Sequence, residues 1–289
     1  MLNVLDIIQD WLKETLRTCI ISNLDGIFDQ INSQVGEAAV NVGKTPAEWN
    51  AGVFSMIRTL SDSVVVPIAG VIITLVLCYE LITMITERNN FHDFDTSIFF
   101  RWILKAFIGV YLVTHTFDIT MAIFELGQQV VQQSAGIISG NTSVDFASAI
   151  GDVAAQLEGM ELGELFGLLL ESMILKITMP ILSICIMLVL IGRMMEIFIY
   201  CSVGAIPFAT LTNREWGQMG SNYLRGLVAL GLQGFFIMVC VAIYSVLVGQ
   251  IGGADNLHLA IWQCAGYTVL LCFSLFKTGS VSKAIFNAR

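Results

Sequence analysis

The sequence predicts an all-α integral membrane protein that crosses the bilayer about five times. Of its 289 residues, 56% are hydrophobic and only 13% are charged, which is far more apolar than an ordinary soluble domain. The apolar residues also occur in runs of about 20, the length that a helix needs to cross the hydrocarbon core. We therefore expect a polytopic membrane protein with five transmembrane helices, preceded by an amphipathic helix.

The N-terminal region, residues 1–62, is predicted to lie outside the membrane spans. Residues 1–21 are expected to form the amphipathic helix, because apolar residues recur there at helical spacing, at Leu5, Ile8, Leu12 and Leu16. Such a helix either packs on its own protein or lies in the membrane interface, and the sequence favours neither. Residues 23–50 are polar and acidic, and Gly36 and Gly43 are expected to interrupt any long helix there.

Five apolar segments follow, and each is long enough to cross a bilayer. The first two fall within residues 63–126, at 63–85 and 98–126. Residues 127–172 form an acidic linker, in which residues 147–157 and 162–170 are expected to be short amphipathic helices. Residues 173–289 hold the other three spans, at 173–200, 227–248 and 259–276. The third is longer than a bilayer core, so it must tilt, protrude or kink at Pro180.

The basic residues predict an orientation through the positive-inside rule. Arg88 lies between spans one and two, and Arg214 lies between spans three and four, whereas the acidic linker and the loop before span five contain no Lys or Arg. This alternation predicts an external N-terminus and linker, and a cytoplasmic C-terminus. Lys13 and Lys44 oppose the rule, because they fall in the segment that must be external.

Charged residues inside or beside the spans are expected either to form pairs within the protein or to line a polar conduit. Glu80 is predicted to pair with Arg101 or Lys105, because all three fall near the cytoplasmic ends of spans one and two. Asp118 and Lys176 fall at the opposite ends of spans two and three and are predicted to pair likewise.

Residues 201–226 are predicted to form a cytoplasmic elbow between spans three and four. The apolar piece 201–211 is too short to cross the bilayer, so it is expected to be interfacial or re-entrant. Just before it, Arg193 and Glu196 stand at a helical spacing that permits a local pair.

No catalytic, metal-binding or cofactor-binding set is predicted. The three histidines are dispersed, and the seven cysteines form no CxxC motif and no cluster with histidine. VGKT at 42–45 lacks the earlier glycine of a phosphate-binding loop. The net charge of −9 argues against binding nucleic acid through bulk electrostatics.

The elbow and the helix after it resemble the TrbL-like family, the polytopic inner-membrane subunits of type IV secretion and conjugation machines. The resemblance is carried by a basic-x-x-Glu helix end, an apolar hinge with proline, a polar loop, and a helix that begins Tyr-Leu-Arg-Gly and continues Leu-Gln-Gly-Phe. The matching residues here are Arg193, Glu196, Pro207, Trp216, residues 223–226 and residues 232–235. The N-terminal half is similar to the variant on conjugative elements of Gram-positive bacteria, through residues 22–33, SVVVPIAG from Ser63, CYELI from Cys78 and HDFDT from His92.

The resemblance implies a non-enzymatic, ring-forming channel or scaffold subunit that helps move DNA and protein across the cytoplasmic membrane. It implies contacts with cytoplasmic ATPases and other machine subunits, and brief contact with the transferred single-stranded DNA. The expected docking residues of the elbow are Arg193, Glu196, Pro207, Trp216, Arg225 and Gln233. A solute transporter or permease is the alternative, and an intramembrane enzyme is a more distant one.

Overall fold

The computed structural model describes residues 4–87, 96–141, 146–249 and 256–288. These residues contain no strand and are 92% helical, which confirms the all-α prediction. A π-helical turn, Ser61–Val65, joins α3 to α4. The α-helices are α1 (Val4–Val42), α2 (Pro46–Trp49), α3 (Ala51–Leu60), α4 (Val66–Glu87), α5 (Thr96–Thr114), α6 (Thr116–Asn141), α7 (Phe146–Glu158), α8 (Leu162–Val203), α9 (Ala205–Thr210), α10 (Gly217–Gly249) and α11 (Leu257–Ile285).

The helices confirm a multi-pass membrane protein with four to five spans. In the described part of the chain, four helical segments are long and apolar enough to cross a bilayer: Ala51–Thr86, Leu162–Val203, Gly217–Gly249 and Leu257–Ile285. The predicted second span forms a broken pair, Phe99–Thr114 and Thr116–Ile137, with a 71° bend between them. Counting that pair as one span gives five. Arg88 and the first four residues of the HDFDT motif, 92–95, lie outside the described residues.

The N-terminal helix is about twice as long as predicted. α1 continues through Gly36 to Val42, so the predicted interruption at Gly36 is wrong, whereas the helix does end just before Gly43. A glycine in a helix costs about 1 kcal/mol relative to alanine. Burial on either side of Gly36 outweighs that cost, because Ile31 and Ala38 are each only 1% exposed. The predicted amphipathic stripe is also only partly buried, since Ile8 remains 52% exposed whereas Leu16 is buried.

The first span begins before residue 63, because helix continues upstream of its proline. Pro67 has no N–H to donate, and its ring crowds the carbonyl of the preceding turn. The structure accommodates it by widening the turn before it: the N–H of Val66 bonds to the carbonyl of Ser61, five residues back. Asn50 begins α3 by accepting the N–H of Val53 on its side chain at 3.0 Å.

The predicted linker is largely helical. α6 continues to Asn141, α7 covers the first predicted short helix, and residues 162–170 are the first turns of α8 rather than a separate helix. Pro180 lies inside α8, which remains one assigned helix of 42 residues. Gln34 of α1 donates to the Met179 carbonyl beside that proline.

One compact unit comprises Met1–Val42, Gln132–Ile191 and Phe235–Thr278. Within it α1 packs on α7, and the Arg17 guanidinium donates to the Leu157 and Glu158 carbonyls at the end of α7. His258 of α11 bonds to Glu171 of α8 at 2.8 Å. α1, α8 and α11 also share apolar contacts, since one small cavity is lined by Leu24, Phe28, Leu175, Ala260 and Ile261 among others.

The other compact unit comprises Gly43–Val131, Gly192–Gly234 and Gly279–Arg289. Its core packs α4 and α5 against α9 and the end of α8. Phe208 of α9 is 2% exposed and contacts the Tyr223 ring of α10 edge-on, with ring centroids 5.7 Å apart. This unit holds the elbow.

Gly127 of α6 and Gly231 of α10 let two helices of this unit approach at backbone contact. A Cβ on Gly127 would lie 2.4 Å from the Gly231 carbonyl oxygen, so we expect Gly127→Ala to push the helices apart and destabilise the protein by about 1–3 kcal/mol. Thermal unfolding of the detergent-purified protein measures this. Gly70→Ala is the control, since its Cβ would meet nothing within 4 Å. Equal shifts in both variants would contradict the close approach.

The cap of α2 should weaken in acid. Thr45 and Glu48 form a capping box, in which the Thr45 N–H donates to Glu48 Oε2 at 2.8 Å. That backbone hydrogen bond is the largest cause lowering the pKa of Glu48 below its ordinary 4.5. A lowered folded-state pKa gives stabilisation that is present above the unfolded value and lost as pH falls through the folded one. Hydrogen-exchange protection of α2 should therefore decline below pH 4.5.

Glu48→Gln is the matched variant, because a glutamine keeps the acceptor and does not titrate. Its α2 protection should be independent of pH over the same range. A parallel decline in both proteins would show that the acid effect comes from another group.

Candidate functional site

The elbow between α8 and α10 consists of one short helix and an irregular loop. α8 ends at Val203, α9 follows almost at once, and residues 211–216 form turns before α10 begins. Most of α9 is buried against α4 and α5. The loop after it carries Asn213, Arg214, Glu215 and Trp216, and its shape depends on a polar cluster at the end of α4.

Glu80 of α4 is the centre of that cluster. It is 7% exposed, so its carboxylate must be compensated by partners in the protein. Lys105 of α5 donates to Glu80 Oε1, and Asn213 of the loop donates to Oε2 at 3.2 Å. One buried carboxylate thus joins two membrane helices and the elbow.

Asn213 also hydrogen-bonds to the backbone of the loop. Its side-chain oxygen accepts the N–H of Glu215 at 2.8 Å and the N–H of Trp216 at 3.0 Å. This is the local turn that asparagine favours, because its side chain mimics a backbone acceptor. Asn213 is only 3% exposed. The loop conformation is therefore fixed from its buried side.

Aromatic contacts hold the outer side of the loop. The Tyr79 hydroxyl donates to Glu215 Oε2 at 3.0 Å. Its ring stacks on the Trp216 indole, with centroids 5.9 Å apart and planes 5° apart, an arrangement that adds about 0.5–1.5 kcal/mol beyond area burial. Trp216 nevertheless remains 47% exposed. We name these six residues the elbow clamp: Tyr79, Glu80, Lys105, Asn213, Glu215 and Trp216.

The start of α10 packs closely on the elbow. The Tyr223 hydroxyl donates to the Tyr200 carbonyl at 2.6 Å, and the two rings stack 5.6 Å apart. Gly220 has no room for a side chain, because a Cβ there would lie 2.6 Å from the Pro207 carbonyl oxygen. These contacts leave the polar loop as the exposed part of a well-packed corner.

The C-terminal helix is joined to the same unit by polar contacts. Lys283 of α11 donates to Glu196 of α8, a residue 87 positions away in sequence. Ser282 donates to the Ala229 carbonyl of α10. Glu196 therefore has a structural partner that the sequence did not indicate.

The remaining predicted residues divide into buried and exposed groups. Arg193 and Gln233 are buried, at 6% exposure each. Pro207 is half-buried within α9. Arg101, Arg214 and Arg225 are exposed. Of the two predicted partners for Glu80, Arg101 and Lys105, it is Lys105 that donates to the carboxylate.

Asp118 and Lys176, which were predicted to pair, each have another partner within their own compact unit. Asp118 Oδ1 accepts Arg58 Nη2 at 3.2 Å, and the Arg58 guanidinium also lies 5.5 Å from the Phe117 ring centroid. Lys176 donates to the Asn23 side chain at 3.0 Å. Sequence spacing could not single out Arg58 or Asn23, because these contacts join residues 60 and 153 positions apart.

Tyr79, Asn213 and Glu215 are clamp residues that the sequence analysis did not single out. The sequence could have indicated the role of Asn213, since asparagine in a short polar loop commonly forms this turn. Nothing in the pattern around Tyr79 indicated a partner in the loop, because that contact spans 136 positions.

Comparison with known proteins gives one family match. The family model described as "TrbL/VirB6 plasmid conjugal transfer like protein" matches residues 31–205, more than half of the chain. That range includes Glu80, Lys105, Arg193 and Glu196, and it ends just before the elbow loop. No curated protein and no solved structure matches.

We expect Glu80→Ala to destabilise the protein more than Glu80→Ala combined with Lys105→Ala. The single change removes the acceptor of both the Lys105 ammonium and the Asn213 amide, whereas the double change also removes the ammonium that is left without a partner. Because the Lys105 side chain is 41% exposed, we expect the single change to cost about 1–3 kcal/mol, less than the loss of one partner from a fully buried pair. Thermal unfolding together with hydrogen exchange of residues 211–216 measures both effects. Additive losses in the double variant would show that the two side chains act independently.

Proposed function

The chain belongs to the TrbL/VirB6-like family of plasmid conjugal transfer proteins, and on that premise we propose that it is a channel or scaffold subunit of a conjugative type IV secretion system. It would help DNA and protein cross the cytoplasmic membrane. We propose that it does so by packing and not by chemistry, since the family is one of structural transfer-system subunits. Energy would come from separate cytoplasmic ATPases.

The elbow is the proposed docking surface for the cytoplasmic part of the machine. The observation that carries this proposal is a loop fixed from its buried side and exposed on its outer side. Glu80 and Asn213 hold the backbone, while Arg214 and Trp216 remain exposed. A preorganised loop loses little conformational entropy on binding, and Trp and Arg are common anchors at protein interfaces.

The proposed orientation places this elbow and the C-terminus in the cytoplasm, with the N-terminus outside. Support comes from the basic residues around the elbow and from the absence of Lys and Arg in residues 127–172. In a Gram-positive cell the acidic segment would face the cell wall. Several copies would form a ring with the other secretion subunits, in contact with membrane lipid.

Contact with the transferred strand would be brief. The net charge of −9 leaves few cations to neutralise phosphates, and affinity for nucleic acid depends on that neutralisation. Any binding of single-stranded DNA by the purified chain should therefore be weak and change little with salt.

The docking proposal predicts that reversing the exposed elbow charges blocks transfer without unfolding the protein. Arg214→Glu combined with Arg225→Glu should lower plasmid transfer by about a hundredfold, because reversing interface charges costs several kcal/mol. Co-purification of the secretion ATPases should fall in parallel. Lys13→Glu, a reversal in α1 away from the elbow, is the control and should transfer normally.

Two results would contradict this reading. Normal transfer and normal ATPase recovery in the double variant would remove the elbow as a docking surface. Solute uptake by the chain reconstituted alone would favour a transporter instead.

A further inference from the structure

Two of the seven cysteines, Cys185 of α8 and Cys272 of α11, lie in contact within one compact unit. The Cys272 thiol hydrogen-bonds to the Cys185 sulfur, and both thiols are free. The sequence could not single out this pair, because no CxxC motif or other short spacing joins the two residues. They meet only because α8 and α11 pack together.

A second contact defines the register of α8 and α11 independently. His258 of α11 bonds to Glu171 of α8 at 2.8 Å, and these residues are separated by 87 positions. Cys272 and Cys185 have the same separation. On each helix the two contacts are fourteen residues apart, which is close to four turns, so they fall on the same side of each helix. α8 and α11 therefore run parallel over about 21 Å, and the two cysteines face each other by register as well as by contact.

Both sulfurs of the pair are accessible at the surface of this unit. Cys185 and Cys272 are partly exposed, whereas Cys264 of α11 is buried. Their neighbours in sequence, Ile184 and Phe273, are 53% and 64% exposed. The surface around the pair is thus apolar, and a molecule that reaches the two thiols must be apolar too.

Two thiols in contact on helices of fixed register are the arrangement that a disulfide bond requires. From this juxtaposition we infer that Cys185 and Cys272 are a site of reversible oxidation, at which an apolar disulfide converts the contact into a covalent link between α8 and α11.

The reaction is an exchange in two steps. One cysteine sulfur attacks the disulfide reagent, forms a mixed disulfide with half of it and releases the other half as a thiol. The second cysteine sulfur then attacks the mixed disulfide, forms the bond between Cys185 and Cys272 and releases the second thiol. Two electrons pass from the cysteines to the reagent, and the two cysteine protons leave on the released thiols.

Oxidation at this site fixes α8 to α11, and reduction releases them. The link closes a loop that contains the elbow and α10, so it restricts the unfolded chain more than a local cross-link does. This inference does not depend on the proposed function, because the chemistry needs only the two helices and the reagent.

Mass spectrometry of the purified protein tests the site. The fully reduced protein in detergent is treated with dithiodipyridine, a small apolar disulfide, and digested without a reducing agent. The peptide that contains Cys185 should be linked to the peptide that contains Cys272 in most of the protein. In the Cys272→Ser variant, Cys185 should instead retain half of the reagent as a mixed disulfide. Cys240 of α10, which is also partly exposed, is the internal control and should carry the reagent without forming a link.

Three results would overturn the inference. Mixed disulfides at both Cys185 and Cys272 in the unaltered sequence would show that the sulfurs are too far apart to react with each other. A link from either residue to a different cysteine would contradict the register. Two unreacted thiols would show that the reagent does not reach the pair.

Thermal unfolding gives a second readout. The linked protein should unfold several degrees above the reduced protein, because the cross-link restricts the unfolded chain. Reduction with dithiothreitol should return the unfolding temperature to its original value. An equal or lower temperature in the linked protein would contradict the inference, since the native helices would then have to distort to form the bond.

Discussion

The buried carboxylate of Glu80 is the contact on which the elbow depends. It is bonded by an ammonium from α5 and an amide from the loop, and the same amide residue holds two backbone N–H groups of the turn. A buried, ionised carboxylate is tolerated only when hydrogen-bond donors or a cation contact its oxygens. The clamp meets that requirement and, in doing so, positions an otherwise irregular loop.

Two other charged contacts join helices that are distant in sequence. Lys283 bonds to Glu196, and Arg58 to Asp118. Unlike Glu80, these four side chains are all at least a third exposed. Each of the two pairs therefore contributes at most about 1 kcal/mol, and its main effect is to fix which helices meet.

The elbow loop departs from this pattern, and it is the surface to which we assign a function. It leaves Arg214 exposed above a buried support. Polar groups that the protein does not satisfy internally must be satisfied by water or by a partner. The docking surface proposed at the elbow has a use for such a group.

The sequence by itself determined the membrane class, the helical fold and the family, because long apolar runs and their flanking charges are local properties of the chain. It also brought Glu80 and Lys105 into consideration together, since both fall near one end of adjacent spans. It missed the continuation of α1 through Gly36, the bend at His115 and the role of Asn213. Only the tertiary structure decided these, because a helix persists, bends or turns according to the burial and the distant partners it finds.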